Sequence, residues 1–150
     1  RKLWDLEWEV LQDVPTPGPL TRLPFERWQK LYLESPNFTA DGQTIARDGD
    51  RFVGMSGLWT SEADPKKLYT GLTGVIRSHR RRGIATAMNV KGINFAQSKG
   101  IEVIETDNEE NNPMLDLNKQ LGYKEKPAFV CYEKKLELEE PVKELLIEPL

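Results

Sequence analysis

Between Lys67 and Asp107 the chain reads as strand, helix, strand. KLYTGLTGVI is rich in β-branched and aromatic residues, GIATAMNVKGINFAQSKG has helical spacing, and IEVIETD is a short apolar run. Ala85, Met88, Ile93 and Ala96 would form the buried face of that helix, and Gly100 its stop. A strand-helix-strand unit buries its helix against a sheet. Beside antiparallel neighbours it predicts a mixed α/β (α+β) sheet with helices on both faces.

The neighbours are legible on both sides. KLWDLEWEVL puts Trp4, Trp8 and Leu11 on one helical face. The proline-rich DVPTPGPLTRLP must be a loop, and Pro24 opens a second helix in which Phe25, Trp28 and Leu31 or Tyr32 recur. The period then drops to two. QTIAR and RFVGMSGLW flank Asp48-Gly49 as a hairpin, with Val53, Met55 and Trp59 on one face. Gly71 and Gly74 inside the next strand point to a bulge or to a close approach by a ligand. Asn112-Pro113 starts a further helix with Met114, Leu117 and Leu121 apolar, ended by Gly122. Two last strands are expected around Pro127. The expected division is one domain over 1–137 and an acidic tail over 138–150, with no internal repeat.

Composition removes several function classes. The 150 residues carry a net charge of −3, against a general nucleic-acid binder. No apolar run approaches the roughly 18 residues of a membrane helix. One cysteine, Cys131, and one histidine, His79, leave no Cys/His metal cluster and no metal is expected. A cytoplasmic setting is the default. The first residue is Arg1, so the chain is expected to be part of a longer protein.

Against that acidic background, RSHRRRGIATAM at Arg77–Met88 stands out. Arg80, Arg81 and Arg82 sit just before a helix N-terminus, where unpaired N–H groups and the dipole are already positive. Such repulsion is relieved by an anion, and Gly83 and Ala85 let a backbone cradle come close to one. The motif lacks the Gly-Lys-Ser/Thr of a P-loop and the GxGxxG of a dinucleotide fold. A solvated arginine loop is the plain alternative.

Arg80-Arg81-Arg82-Gly83-Ile84-Ala85 resembles the Arg/Gln-x-x-Gly-x-Gly/Ala signature of the GNAT superfamily of acetyl-CoA-dependent N-acetyltransferases. LTGVIRSH resembles that family's fourth strand and IEVIETD its fifth. Asn111-x-x-Met114 and Asn118-Lys119-Gln120-Leu121-Gly122-Tyr123 resemble its closing segment. The order agrees along nearly the whole chain, except that the family's first strand has no counterpart.

The resemblance implies two splayed strands with acetyl-CoA between them and no metal. It implies that Val75 and Ile76 pair with the pantetheine arm, and that the backbone of Arg81, Arg82, Gly83, Ile84, Ala85 and Thr86 holds the pyrophosphate with help from the arginines, Arg80 included. Asn111 matches a cofactor contact. The implied reaction is direct attack of a primary amine on the thioester, with a backbone N–H near Val75 stabilising the oxyanion. Where many members carry a tyrosine acid this chain has Asn118, which cannot release a proton near neutral pH. Tyr123, Tyr132 or a water is the substitute. Glu105 and Asp107, on one face of the fifth strand, are the candidate bases. His79 reads as structural, and the four tryptophans as core rather than acceptor pocket. Residues 12–23 and the turn near Pro127 match the family's variable acceptor walls.

The acceptor is then a small molecule or a protein amine, with neither nucleic acid nor membrane as partner. A homodimer or a tandem neighbour of the same fold remains open. The competing reading, from a different class, is a module that binds coenzyme A without catalysis.

Overall fold

The computed structural model describes residues 1–16, 18–127, 130, 132 and 134. Its elements are α1 (Lys2–Leu11), α2 (Phe25–Tyr32), β1 (Phe38–Asp48), β2 (Arg51–Thr60), β3 (Lys67–Val75), a 3-10 turn (Arg77–His79), α3 (Ile84–Ser98), β4 (Val103–Glu105) and α4 (Met114–Gln120). They form a four-stranded sheet of order β1-β2-β3-β4, antiparallel except for the β3–β4 pair. The mixed sheet expected from the strand-helix-strand unit is therefore present. Of the two last expected strands, residues 123–127 are irregular. The remainder of that expectation, with Cys131 and the 138–150 tail, lies outside the described residues.

Each face of the sheet has its own core. Val53, Met55 and Ile76 pack with Leu6, Val10, Trp28 and Tyr32 beneath α1 and α2. Leu58 and Leu68 pack with Ala96 of α3 on the opposite face. On α1 the buried positions are Leu6 and Val10, one strip away from the expected Trp4, Trp8 and Leu11. The reason is that Trp4 lies at the rim, donating its indole N–H to the Leu23 carbonyl at 3.0 Å and stacking under the Arg22 guanidinium. On α2, Tyr32 turns inward while Leu31 stays exposed. Edge and stacked contacts then run through Phe25, Trp28, Tyr32, Phe38 and Trp59, so the aromatics are core and rim packing.

Local chemistry explains the element ends. The β1–β2 loop is Gly49-Asp50, one residue later than the Asp48-Gly49 expected, with Gly49 at φ 56° supplying the positive angle of the first loop position. Asn112 Oδ1 accepts the Met114 N–H at 2.9 Å, which makes it the cap of α4. Helices α3 and α4 both end in Schellman motifs around left-handed glycines. Ile101 N–H reaches Ala96 O and Gly100 N–H reaches Gln97 O; Tyr123 N–H reaches Asn118 O and Gly122 N–H reaches Lys119 O.

The strand glycines do two jobs. Between Ser56 and Leu58 on β2 lies one residue, but between their partners Thr73 and Thr70 on β3 lie two, so β3 bulges at Gly71-Leu72. Both glycines also admit close neighbours from within the chain: a Cβ on Gly71 would meet the Trp59 indole nitrogen at 2.3 Å, and one on Gly74 would meet Val10 Cγ1 at 2.1 Å. Gly74→Ala should therefore lower unfolding stability by about 1–3 kcal/mol in urea titrations, as overpacking does. Gly18→Ala, with open space around it, should leave the midpoint unchanged.

Candidate functional site

The site begins where β3 and β4 part. They pair only at Lys67 with Val103, Leu68 with Ile104 and Tyr69 with Glu105. β3 then runs on to Val75 with β2 on one side and, among the described residues, no strand on the other. The result is a fork whose apex lies at Tyr69 and Glu105.

The alternation of an antiparallel ladder decides which backbone groups face the fork. Ile76 donates its N–H to Val53 O at 3.0 Å and accepts from His79 N–H at 2.9 Å, so both its backbone groups are engaged. The expected pairing of Ile76 with a cofactor arm is corrected on that ground. Its neighbour Val75, opposite Gly54, occupies the alternate, non-bonded register and turns its N–H and C=O outward to the open edge. Thr73, two residues back and opposite Ser56, does the same; its hydroxyl meets that of Ser56 at 2.9 Å across the close pair. Val75 is among the residues expected at this edge and Thr73 is not, although a period of two from Val75 reaches it.

Beyond Val75 the chain makes a 3-10 turn and then the arginine loop. Arg81 stands at φ 58° and Gly83 at φ 74°; Arg81 is the one non-glycine residue with positive φ among those described. A left-handed arginine is strained by about 1–3 kcal/mol, and such strain concentrates at ligand clamps. Alternating backbone of this kind turns successive N–H groups into a concavity for anions. Gly83 is the N-cap of α3, and its carbonyl takes the Ala87 N–H at 2.9 Å. The N–H groups of Ile84, Ala85 and Thr86 have no partner within the helix and point out of its first turn. Arg81 and Arg82 extend into solvent.

Arg80 behaves differently. Its Nε donates to the Val75 carbonyl at 2.8 Å, and its Nη2 meets Asp13 Oδ2 at 2.5 Å. Arg77 Nε spans both Asp13 oxygens at 3.0 Å. These hydrogen bonds, that of Arg77 first, hold the Asp13 carboxyl down at about 2. His79 is tied between Ser78 Oγ at 2.8 Å and Asp48 Oδ2 at 3.1 Å.

The other arm carries the candidate acids and bases. Glu105 at the apex accepts from Lys126 at 2.8 Å and pairs with Lys67 at 2.6 Å. The Lys126 and Lys67 hydrogen bonds hold its carboxyl at about 2. A carboxylate bound by two ammonium groups is a clasp joining β3, β4 and the segment after α4; it does not fit the base role expected of it. Asp107 lies two residues beyond the last β4 pair, exposed and without an ion-pair partner among the described residues. Asn118 is 6% exposed and donates Nδ2 to Asn108 Oδ1 at 2.6 Å, so it pins the loop that follows Asp107. Asn111 is exposed and folds onto Glu109, both through its backbone N–H and its side-chain amide. Tyr123, placed by its Schellman motif, is half-buried beside Thr70, the first β3 residue past the apex. Burial lifts its pKa above the ordinary 10. Tyr132 is 94% exposed.

A forked sheet with an anion cradle at its open end is the arrangement to which the comparisons speak. The Acetyltransferase (GNAT) family matches residues 2–123, more than half of the chain. The chain belongs to the GNAT acetyltransferase family. No curated protein sequence matches it. Among solved structures, AAC(6')-Iy in complex with a bisubstrate analogue shares 16% identity, covers 90% of each chain and has a TM-score of 0.64. An aminoglycoside acetyltransferase from an uncultured soil metagenomic sample, in complex with sisomicin, shares 21%, covers 91% of this chain and 87% of its own, with a TM-score of 0.63. The diaminobutyrate acetyltransferase EctA from Paenibacillus lautus, in complex with L-2,4-diaminobutyric acid and coenzyme A, shares 27%, covers 81% of this chain and 66% of its own, with a TM-score of 0.57. The GNAT fold expected from RRRGIA and the closing LGY segment is thus present. No described helix is long and apolar enough to cross a membrane. No group of three or more His, Cys, Asp or Glu among the described residues is placed to hold a metal ion.

The clasp has a definite pH signature. An unfolded glutamate titrates near 4.5 and the folded Glu105 near 2. Its contribution to stability is therefore complete above pH 4.5 and is lost as pH falls through about 2. Glu105→Gln should flatten the acid side of the stability-against-pH curve between those values. In a rate-against-pH profile, the same variant should leave any limb near neutral pH in place.

Proposed function

We propose that the chain transfers an acetyl group from acetyl-CoA to a primary amine by direct attack with both substrates bound. One observation carries this reading: the outward N–H groups of Thr73 and Val75, with the Thr73 carbonyl, line an open strand edge that leads straight into the Arg81–Thr86 cradle. That edge fits an amide-bearing arm, and the cradle fits a pyrophosphate. The bound cofactor would supply an activated thioester carbonyl.

The chain's own residues do the rest. The amides of Arg81 through Thr86 bind the pyrophosphate, and Arg81 and Arg82 are free to meet the remaining phosphate charge. Arg80 is held by Asp13 and Val75 and plays no direct part in phosphate binding. The Val75 N–H, or the Thr73 N–H farther along the arm, donates to the carbonyl oxygen as charge develops there; removal of one such donor costs other enzymes about 3–4 kcal/mol. Asp107, reaching through water, takes the amine proton. Asn118 positions the Asp107–Asn108 loop. Tyr123, kept protonated by burial, is the proton donor for the departing thiolate, in place of the missing tyrosine at Asn118. The aminoglycoside and diaminobutyrate ligands of the neighbours above support a small polyamine acceptor.

Calorimetric titration should show micromolar acetyl-CoA binding, weakened by at least about tenfold, or about 1.4 kcal/mol, in the Arg82→Glu, Gly83→Asp double variant. Release of free thiol with a panel of amines should follow for the wild-type chain. Binding without thiol release from any amine would favour the non-catalytic coenzyme A module. Absence of binding would contradict both.

A further inference from the structure

Asp13 has no part in the RRRGIA or closing LGY motifs. It follows α1, at the start of the proline-rich segment that matches an acceptor wall, yet it is 64 residues from Arg77 and 67 from Arg80. Its side chain is 19% exposed, far less than the 77% and 41% of the two arginines that it holds. It is their shared anchor. Arg77 lies across both carboxylate oxygens, and Arg80 takes one of them while its Nε reaches the Val75 carbonyl at 2.8 Å.

Three constraints meet at that guanidinium. The Val75 carbonyl faces the open edge, where no strand pairs with it. A neighbouring arginine loop needs a fixed entry angle into α3. A cation beside a phosphate cradle would otherwise turn toward the anion. One carboxylate answers all three by drawing Arg80 back against the strand. The Arg80 fork then caps the Val75 carbonyl and fixes the plane of the peptides around Val75.

We propose that Asp13 is a positioning residue for the transfer step: it holds Arg80 on the Val75 carbonyl and so links the acceptor-side loop to the strand edge that orients the thioester. This rests on the acetyltransferase reading above. Misplacing a reacting group by an ångström costs on the order of a hundredfold in rate, whereas the amide cradle that binds the pyrophosphate is built by other atoms.

The test compares wild type with Asp13→Asn, Asp13→Glu, Arg80→Gln and the Asp13→Asn, Arg80→Gln double variant. Two readouts are used: steady-state kinetics with acetyl-CoA and an accepted amine, and the Arg80 Nε–H resonance in 15N NMR. Asp13→Asn should lower kcat by about tenfold or more, with the KM for acetyl-CoA changed less than about threefold. Its Arg80 Nε–H should lose protection from solvent exchange. The double variant should be no slower than the worse single variant, because both break one latch. Asp13→Glu should recover part of kcat. A folded Asp13→Asn with wild-type kcat would overturn the proposal while leaving the acetyltransferase reading intact. So would additive losses in the double variant, or a lowered melting temperature with kcat per folded molecule unchanged. A wild-type chain that neither binds nor turns over acetyl-CoA would overturn the acetyltransferase reading, and this proposal with it, whatever the NMR shows.

Discussion

The structure depends on the end of one strand pairing. Three residues of β3 meet three of β4, and the Glu105 carboxylate, clamped by Lys67 and Lys126, closes that contact. Past it, β3 keeps its neighbour on one side alone. An unpaired strand edge is ordinarily a liability, since its free N–H and C=O groups invite any other chain to add a strand. Here the open edge is short, bulged at Gly71-Leu72, and backed by two packed cores.

The helices serve that edge from both faces. Helix α1 presses Val10 onto Gly74, and α3 lays Met88 close to Gly54, so the strands bearing the site are held from above and below. The same α3 begins at the anion cradle. Its N-terminus therefore cannot move relative to β3 without disturbing the core it shares with Leu58 and Leu68. Rigid placement of a binding loop by a sheet is how a backbone-built site achieves precision without many side chains.

Much of this was legible in the sequence, and the reasons are local. Gly83 before a helix, Gly100 and Gly122 after helices, and Asn112-Pro113 at a helix start are all positions where the backbone leaves few choices. The period of two through Val53 and Met55 gave the sheet face. The chemistry of long-range contacts was not legible. Nothing near Asp13 signals that it will meet Arg77 and Arg80 across more than sixty residues of chain. Glu105 has the strand position of a base, but Lys67 and Lys126, which no local pattern brings to it, neutralise it. The engagement of Ile76 followed from the register with β2, which hydrophobic pattern alone does not set. On α1, Trp4 and Trp8 drew the helical face toward themselves; large amphipathic rings fit a rim as well as a core, and the smaller Leu6 and Val10 took the interior.

The central claim is that the outward amides of Thr73 and Val75 bind the cofactor's arm. Amide hydrogen exchange of the wild-type chain, with and without acetyl-CoA, measures it directly. The account predicts that exchange at Thr73 and Val75 slows on addition of acetyl-CoA together with that of Gly83 to Thr86, while Ile76, already bonded to Val53, does not change. Slowing confined to the Gly83–Thr86 turn, with Thr73 and Val75 unaffected, would contradict it.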